Sequence, residues 1–206
     1  MNEQLVAVIM SVYKNDNLVC LKDAINSILN QSYDATSLFI YVDGPVPSDI
    51  FEYLDILSNH KNIFVHFDNV NKGLASGLNY LIDEVVSLRK FQYVARMDSD
   101  DISVLTRITE QVTYMEENPS LAISGTFCEE FGSSVALKVK KLPTAHEKLF
   151  RYSCTRCPFI HPSVIFRVSV FEEGYRYPEN TTFTEDMGLW FELLNAGKMF
   201  GNLDKV

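Results

Sequence analysis

Four short apolar runs, each followed by residues at helical spacing, constrain this chain more than anything else in it. The runs are Leu5 to Val12, Leu38 to Val42, Ile63 to Phe67 and Tyr93 to Met97. They are nearly continuous and rich in β-branched and aromatic residues, as in strands covered on both faces. After the first, Leu21, Ala24, Ile25, Ile28 and Leu29 share one helix face within Cys20 to Gln31. After the second, Ser48 is placed to cap a helix bearing Ile50, Phe51, Leu54 and Leu57. After the third, Asn71-Lys72-Gly73 turns into a helix with Leu74, Leu78, Leu81, Ile82 and Val85. After the fourth, Ser103 to Glu117 reads as a helix with Ile108, Val112 and Met115 inward, stopped by Asn118-Pro119. Alternation of this kind predicts an α/β fold with a mainly parallel sheet and right-handed crossovers. In such sheets ligands bind beyond the carboxyl ends of the strands.

Tyr13, Asp43 and Asp98 fall at those ends. The fourth run leads directly into Asp98-Ser99-Asp100-Asp101. Three carboxylates this close repel, and burial raises the cost. A hard divalent cation, Mn²⁺ or Mg²⁺, suits an all-oxygen donor set and bridges readily to phosphates. The plainer alternative is a solvated acidic turn. Neither a Gly-x-Gly-x-x-Gly after the first strand nor a Gly-x-x-x-x-Gly-Lys-Ser/Thr loop is present, so the two common phosphate-cradling loops are excluded.

The 206 residues suit one globular domain. Asp and Glu number 27 against 18 Lys and Arg, net −9, without a basic stripe, which argues against nucleic acid as partner. No apolar run approaches the ~18–20 residues of a membrane span. The N-terminus lacks the basic start and apolar core of a signal peptide, so a cytoplasmic protein is expected. Cys154-Thr155-Arg156-Cys157 has no second pair to complete a zinc site, and the cysteines read as thiols in a reducing compartment. Beyond Pro119 the texture turns β-rich. Leu121 to Phe127 and Val135 to Val139 read as strands joined at Gly132-Ser133-Ser134, and Ser163 to Phe166 as another. Ala145 to Tyr152 reads as a short helix. Gly174 to Thr184 reads as a mobile loop. Glu185-Asp186 opens a last helix with Leu189, Trp190, Leu193 and Leu194 inward and Gly197 at its end. The chain stops soon after a possible strand, and a catalytic core lacking its tail is expected.

The ordered set Val8-Ile-Met-Ser-Val-Tyr13, Ser27-Ile-Leu-Asn-Gln31, Val42-Asp43-Gly44, Asn71-Lys-Gly-Leu74, Ala95-Arg-Met-Asp-Ser-Asp-Asp101, His161-Pro-Ser-Val164 and Glu185-Asp186 before Leu189-Trp190 resembles the family 2 glycosyltransferases of GT-A fold. It is similar in particular to bacterial enzymes that build surface polysaccharides. No single motif decides this; the order does.

The resemblance implies one domain over 1–206, with a nucleotide-binding half at 1–119 and a smaller acceptor-side half at 120–206. Ser11, Val12 and Tyr13 would lie against the nucleotide base, and Asp43 would accept from a base N–H. Asp43 also fits a turn before Gly44-Pro45. Lys72 would meet a phosphate, or stay solvated. Asp98 would contact the ribose and Asp100 would bind Mn²⁺ or Mg²⁺. Asp101 fits equally an acid at the N-terminus of the next helix. Arg96, two residues before Asp98 on the same strand face, would pair with the acids or touch substrate. Asp186 would be the catalytic base, with Glu185 on the acceptor side and His161 on the acceptor-side loop or against the donor phosphates; the acidic pair also fits a helix cap, and a His before Pro also fits a structural role. The implied activity is metal-dependent, inverting transfer from a nucleotide-diphosphate sugar, UDP being the expected carrier, to a saccharide or lipid-linked saccharide. Peripheral membrane association through the acceptor or a tail would follow. A sugar-nucleotide-forming nucleotidyltransferase would want a Gly-rich basic loop at Met10 to Asn17, which is absent. A non-catalytic nucleotide-sugar-binding module is the alternative of another class.

Overall fold

The computed structural model describes residues 4–181 and 183–206. Its centre is β1 (Val6–Val12), whose two-residue period sorts side chains into two cores. Val6, Val8, Met10 and Val12 enter one core, and Ala7 and Ile9 the other. β2 (Thr36–Val42) and β4 (Tyr93–Arg96) flank β1 in parallel, and β3 (Ile63–Phe67) pairs with β2. The first core is closed by α1 (Leu18–Leu29), α2 (Ser48–Leu57) and α4 (Arg107–Glu117), through Leu21, Ile25, Leu54, Ile108 and Met115. The second is closed by α3 (Leu74–Ser87) and later helices, through Leu78, Ile82, Leu189 and Trp190. Helices on both faces are why these strands read as unbroken apolar runs rather than as alternating ones.

β5 (Leu121–Thr126), β6 (Ile165–Arg167) and β7 (Met199–Leu203) complete one seven-stranded sheet of order β3-β2-β1-β4-β6-β5-β7. β6 runs antiparallel to β4 and β5; the other pairings are parallel. The second half also supplies α5 (His146–Ser153), α6 (Ser169–Glu172) and α7 (Glu185–Asn195). The α/β expectation holds, and so does the inward face of α7: Leu189, Trp190 and Leu193 are fully buried.

Several local expectations change. α4 begins at Arg107, not Ser103. The backbone of 103–105 bonds to the end of α1 instead of to itself: Ser103 N donates to Ser27 Oγ, Gln31 Nε2 donates to Val104 O, and Ser32 N donates to Leu105 O. Asp101 therefore precedes the first residue of the helix by six positions, and its charge acts on that residue, Arg107. Ser48 is the first residue of α2 and makes no capping bond. Val135 to Val139 is not a strand; its neighbourhood holds an isolated bridge between Cys128 and Lys140. His161–Ser163 forms a single 3-10 turn, so β6 starts two residues later than expected. Gly174 to Thr184 is not a free loop throughout: Tyr177 is buried and exchanges backbone bonds with the Asn79 amide, and Arg176 pairs with Asp83. Thr182 lies outside the described residues.

Candidate active site

Strands β1, β2 and β3 step outward in one direction, and β4 then returns to the other side of β1. Loops diverge at that reversal and leave a crevice. A cleft of about 760 Å³ opens there, lined among others by Ser11, Tyr13, Asp43, Lys72, Asp98, Asp100 and Glu185. Seven of the residues singled out in the sequence thus meet in one place, although they span 175 positions from 11 to 185.

On the β2 side, Asp43 is 4 % exposed. Its carboxylate accepts from the Lys72 amide (2.6 Å), the Gly73 amide (3.0 Å) and Asn71 Nδ2 (2.8 Å). The same side chain that reaches the cleft therefore fastens the loop that starts α3. Gly44 follows at φ +81°, and a Cβ there would stand 2.7 Å from the Asn71 amide nitrogen. That position admits glycine alone without strain. Lys72 Nζ pairs with Asp68 at 2.7 Å, which raises the lysine's pKa, and the side chain stays half exposed. Ser11 and Tyr13 line the cleft, whereas the Val12 side chain points into the core and is fully buried, as strand alternation demands.

On the β4 side the acids converge. Asp98, Asp100 and Asp101 can each place a carboxylate oxygen within 4.8 Å of the others. Burial, and then the charges of Asp98 and Asp100, push Asp101 up to about 6. Arg96, 2 % exposed, offsets part of this charge by pairing with Asp98, while its Nε–H has no acceptor among the described residues. An all-carboxylate set with one member driven towards protonation by burial and then by its neighbours fits a hard divalent cation.

On the remaining wall Glu185 reaches the cleft from the first turn of α7. Asp186 is half-buried behind it; its Oδ1 accepts from the Met187 amide at 2.7 Å and its Oδ2 from the Cys157 thiol at 3.4 Å. Burying a Leu or larger side chain is worth roughly 1.5–3 kcal/mol, so Leu189, Trp190 and Leu193 fix this turn firmly. His161 lines neither cavity. Its Nε2 meets the Tyr177 hydroxyl at 3.0 Å, and burial, then the charge of Arg96, hold it well below the usual imidazole range. It supports the site from beneath and carries no positive charge near neutrality.

Asp16 in the cleft wall and Cys157 behind it are among the residues that escaped the sequence reading. Asp16 lines the cleft and accepts from the Tyr13 amide at 3.0 Å, and burial raises its pKa. Its signal was the polar run Lys14-Asn15-Asp16-Asn17 directly after β1. Cys157, read only as half of a C-x-x-C, touches the Asp186 carboxylate through a contact between residues 29 apart, which spacing does not reveal.

A profile of the family described as "Glycosyl transferase family 2" matches residues 7–175. The chain belongs to glycosyl transferase family 2. This family 2 glycosyltransferase domain is 26% identical over 202 residues to the amylovoran biosynthesis glycosyltransferase AmsE of Erwinia amylovora, covering 98% of this chain and 74% of the relative. It is 29% identical over 208 residues to the Escherichia coli UDP-Gal:alpha-D-GlcNAc-diphosphoundecaprenol beta-1,3-galactosyltransferase, covering 97% of this chain and 71% of that one. Among solved structures, S. aureus TarS 1-349 in complex with UDP-GlcNAc superposes with a TM-score of 0.75 at 15% identity. The superposition covers 98% of this chain and 57% of TarS 1-349, and it establishes the GT-A fold of this glycosyltransferase domain.

Proposed function

We propose that this domain transfers a sugar from a nucleotide diphosphate, UDP foremost, to a saccharide or lipid-linked saccharide in bacterial surface-polysaccharide synthesis, with inversion at the sugar carbon. The observation that carries the reading is the cleft at the strand reversal, which gathers Asp43, Asp98, Asp100 and Glu185 from three separate chain segments. Residues 1–119 form the nucleotide side of this reading and 120–206 the acceptor side. UDP-sugars are the ligands in the names of TarS and of the E. coli relative, and the latter's printed acceptor is lipid-linked.

Asp43, Ser11 and Tyr13 hold the base, and Asp98 the ribose. Asp100 would hold a Mn²⁺ or Mg²⁺ ion, with Asp101 beside it, and such an ion would supply positive charge against the departing diphosphate. Asp186 takes the proton from the acceptor hydroxyl. The freed oxygen pair bonds to the anomeric carbon as the bond to the diphosphate oxygen breaks, and the diphosphate leaves with that bond's electrons. Glu185 and His161 shape the acceptor side. The reaction belongs in the cytoplasm, where nucleotide sugars are made.

Thermal shift with UDP-, GDP- and dTDP-sugars, each with and without Mn²⁺, tests the reading. A ligand of the native state raises the melting temperature. A rise with UDP-sugars that depends on Mn²⁺ is expected. No rise with any donor sinks the proposal; a rise without turnover on any acceptor favours the binding-module alternative.

A further inference from the structure

Two cavities meet at Asp100, the donor cleft and another of about 540 Å³. Two aromatic side chains line the donor cleft among the described residues, Tyr13 and Phe183. Tyr13 follows β1 and belongs with Asp43 to the side read as the base site. Phe183 belongs to the wall of Glu185, three residues before Asp186. It is 93 % exposed, more than any other large apolar side chain among the described residues. Its backbone stands at φ +59°, in the left-handed region that a bulky side chain disfavours. Glycines hold the other left-handed positions described, except Arg89, which follows the end of α3, where such a residue is ordinary.

Two pinned ends explain the turn but not the residue. Before it, Tyr177 exchanges bonds with the Asn79 amide, and Thr181 Oγ1 donates to Pro178 O at 3.1 Å. After it, α7 starts at Glu185 and is anchored by its buried face. Glycine would close so short a connection without strain. Phenylalanine instead leaves a strained backbone and a bare ring, with no ring contact to the described residues. Strain of this kind gathers where a ligand is met. Glu179 lines the same cleft. Its Oε1 accepts from Asn79 Nδ2 at 3.1 Å, and its Oε2 meets no donor among the described residues. Glu179 and Glu185 make this wall acidic, so phosphate and carboxylate groups are repelled from it. An apolar ring beside an open acceptor oxygen suits a pyranose, which offers a face of C–H groups and hydroxyl donors at its edge.

We propose that Phe183 and Glu179 form a sugar subsite. The ring carries the C–H face of the acceptor's pyranose, and Glu179 Oε2 accepts from one of its hydroxyls. The subsite stands on this wall alone. Its assignment to the acceptor, and not to the donor sugar, rests on the glycosyl-transfer reading, in which Asp186 takes the acceptor's proton. Three residues of chain span at most ~10 Å, which keeps the ring beside the sugar that presents that hydroxyl.

Saturation-transfer NMR tests the subsite with methyl glucoside, methyl galactoside, methyl mannoside and methyl N-acetylglucosaminide, each in the presence of UDP and Mn²⁺. Irradiation of the parent's aromatic protons is expected to reach the ring C–H protons of at least one glycoside. Phe183→Ala should lower that transfer about tenfold. Phe183→Tyr should keep it, and Glu179→Gln should weaken it by less than Phe183→Ala does. Both side chains are exposed, so neither Phe183→Ala nor Glu179→Gln should lower the melting temperature, and Phe183→Gly should raise it by relieving the backbone. Calorimetry with UDP, UDP-glucose, UDP-galactose and UDP-GlcNAc separates the two sugars: Phe183→Ala should bind each as the parent does. A loss for a UDP-sugar without a loss for UDP puts the ring on the donor sugar and overturns the acceptor assignment. No transfer to any glycoside in the parent, or equal transfer in the parent and Phe183→Ala, overturns the subsite. So does a lower melting temperature in both Phe183→Ala and Phe183→Gly, since the ring then packs on the protein. Failure of UDP binding with glycoside binding intact overturns the transferase reading and leaves the subsite.

Discussion

The Cys157 thiol lies between two acceptors, with Sγ 3.4 Å from Oδ2 of Asp186 and 3.1 Å from Phe159 O, and its single proton serves one of them at a time. Burial pushes the Cys157 thiol up to about 11, so it keeps its proton at neutral pH and acts as a donor. The other oxygen of Asp186 is held by the Met187 amide. A carboxylate with one donor on each oxygen has a defined direction, which general-base chemistry requires.

Asp186→Asn keeps that shape but removes the basicity. Turnover is expected to fall by about 10²–10⁴-fold, with donor affinity and melting temperature nearly unchanged. Glu185→Gln should lose less. Release of UDP from the donor in the presence of acceptor measures both. A parental rate in Asp186→Asn would move the base to Glu185, the residue that lines the cleft.

Cys157→Ala removes one hydrogen bond from the base. A net bond is worth about 1 kcal/mol, or roughly fivefold, and turnover should drop by about that much at unchanged UDP affinity. Cys157→Ser restores a donor and should restore the rate. Equal rates for Ala and Ser variants would show that the contact is packing only.

Asp100→Ala should abolish the Mn²⁺-dependent part of UDP binding while the fold survives, because the residue is exposed and the sheet does not need it. Calorimetry with and without Mn²⁺ reads this. An affinity equal to the parent's in both conditions would place the ion elsewhere.

Asp43→Ala should act on stability as well as on binding. It strips the Lys72 and Gly73 amides and the Asn71 side chain of their acceptor. A loss of about 2–4 kcal/mol is expected in denaturant unfolding, since bonds to a charged group are worth roughly 1.5–3 kcal/mol. UDP should weaken more than free diphosphate does. Unchanged stability would mean that the loop holds without the carboxylate.

Two buried groups set opposite pH limits. His161 is depressed well below 6.5, so the unfolded chain takes up its proton first and stability falls as pH drops through about 6.5. Cys157 is raised from 9.0 to about 11, so the unfolded chain loses its proton first and stability falls as pH climbs past about 9. Denaturant midpoints across this span should show the acid limb flattened in His161→Gln and the alkaline limb flattened in Cys157→Ser. Limbs identical to the parent's in both variants would refute the assignment.

The sequence by itself determined the sheet and its cleft. Unbroken runs such as Val6 to Val12 can be satisfied only by burial on both faces, so helices had to cover both. Once the strands were parallel, Tyr13, Asp43 and Asp98 had to share one edge. Leu189, Trp190 and Leu193 at helical spacing likewise fixed the inner face of α7. Only the tertiary structure decided what each side chain does there. Ser103 to Thr106 has no helix because Ser27, Gln31 and Ser32 of the α1 end take its backbone bonds across more than 70 positions. Val135 to Val139 has a strand's composition and no continuous partner edge. Asp43 binds its own loop, His161 meets Tyr177, and Cys157 meets Asp186, and each contact joins segments that local spacing cannot relate. Periodicity reports which face a residue takes. Partners across the fold are set by packing, and packing is settled only when the whole chain has folded.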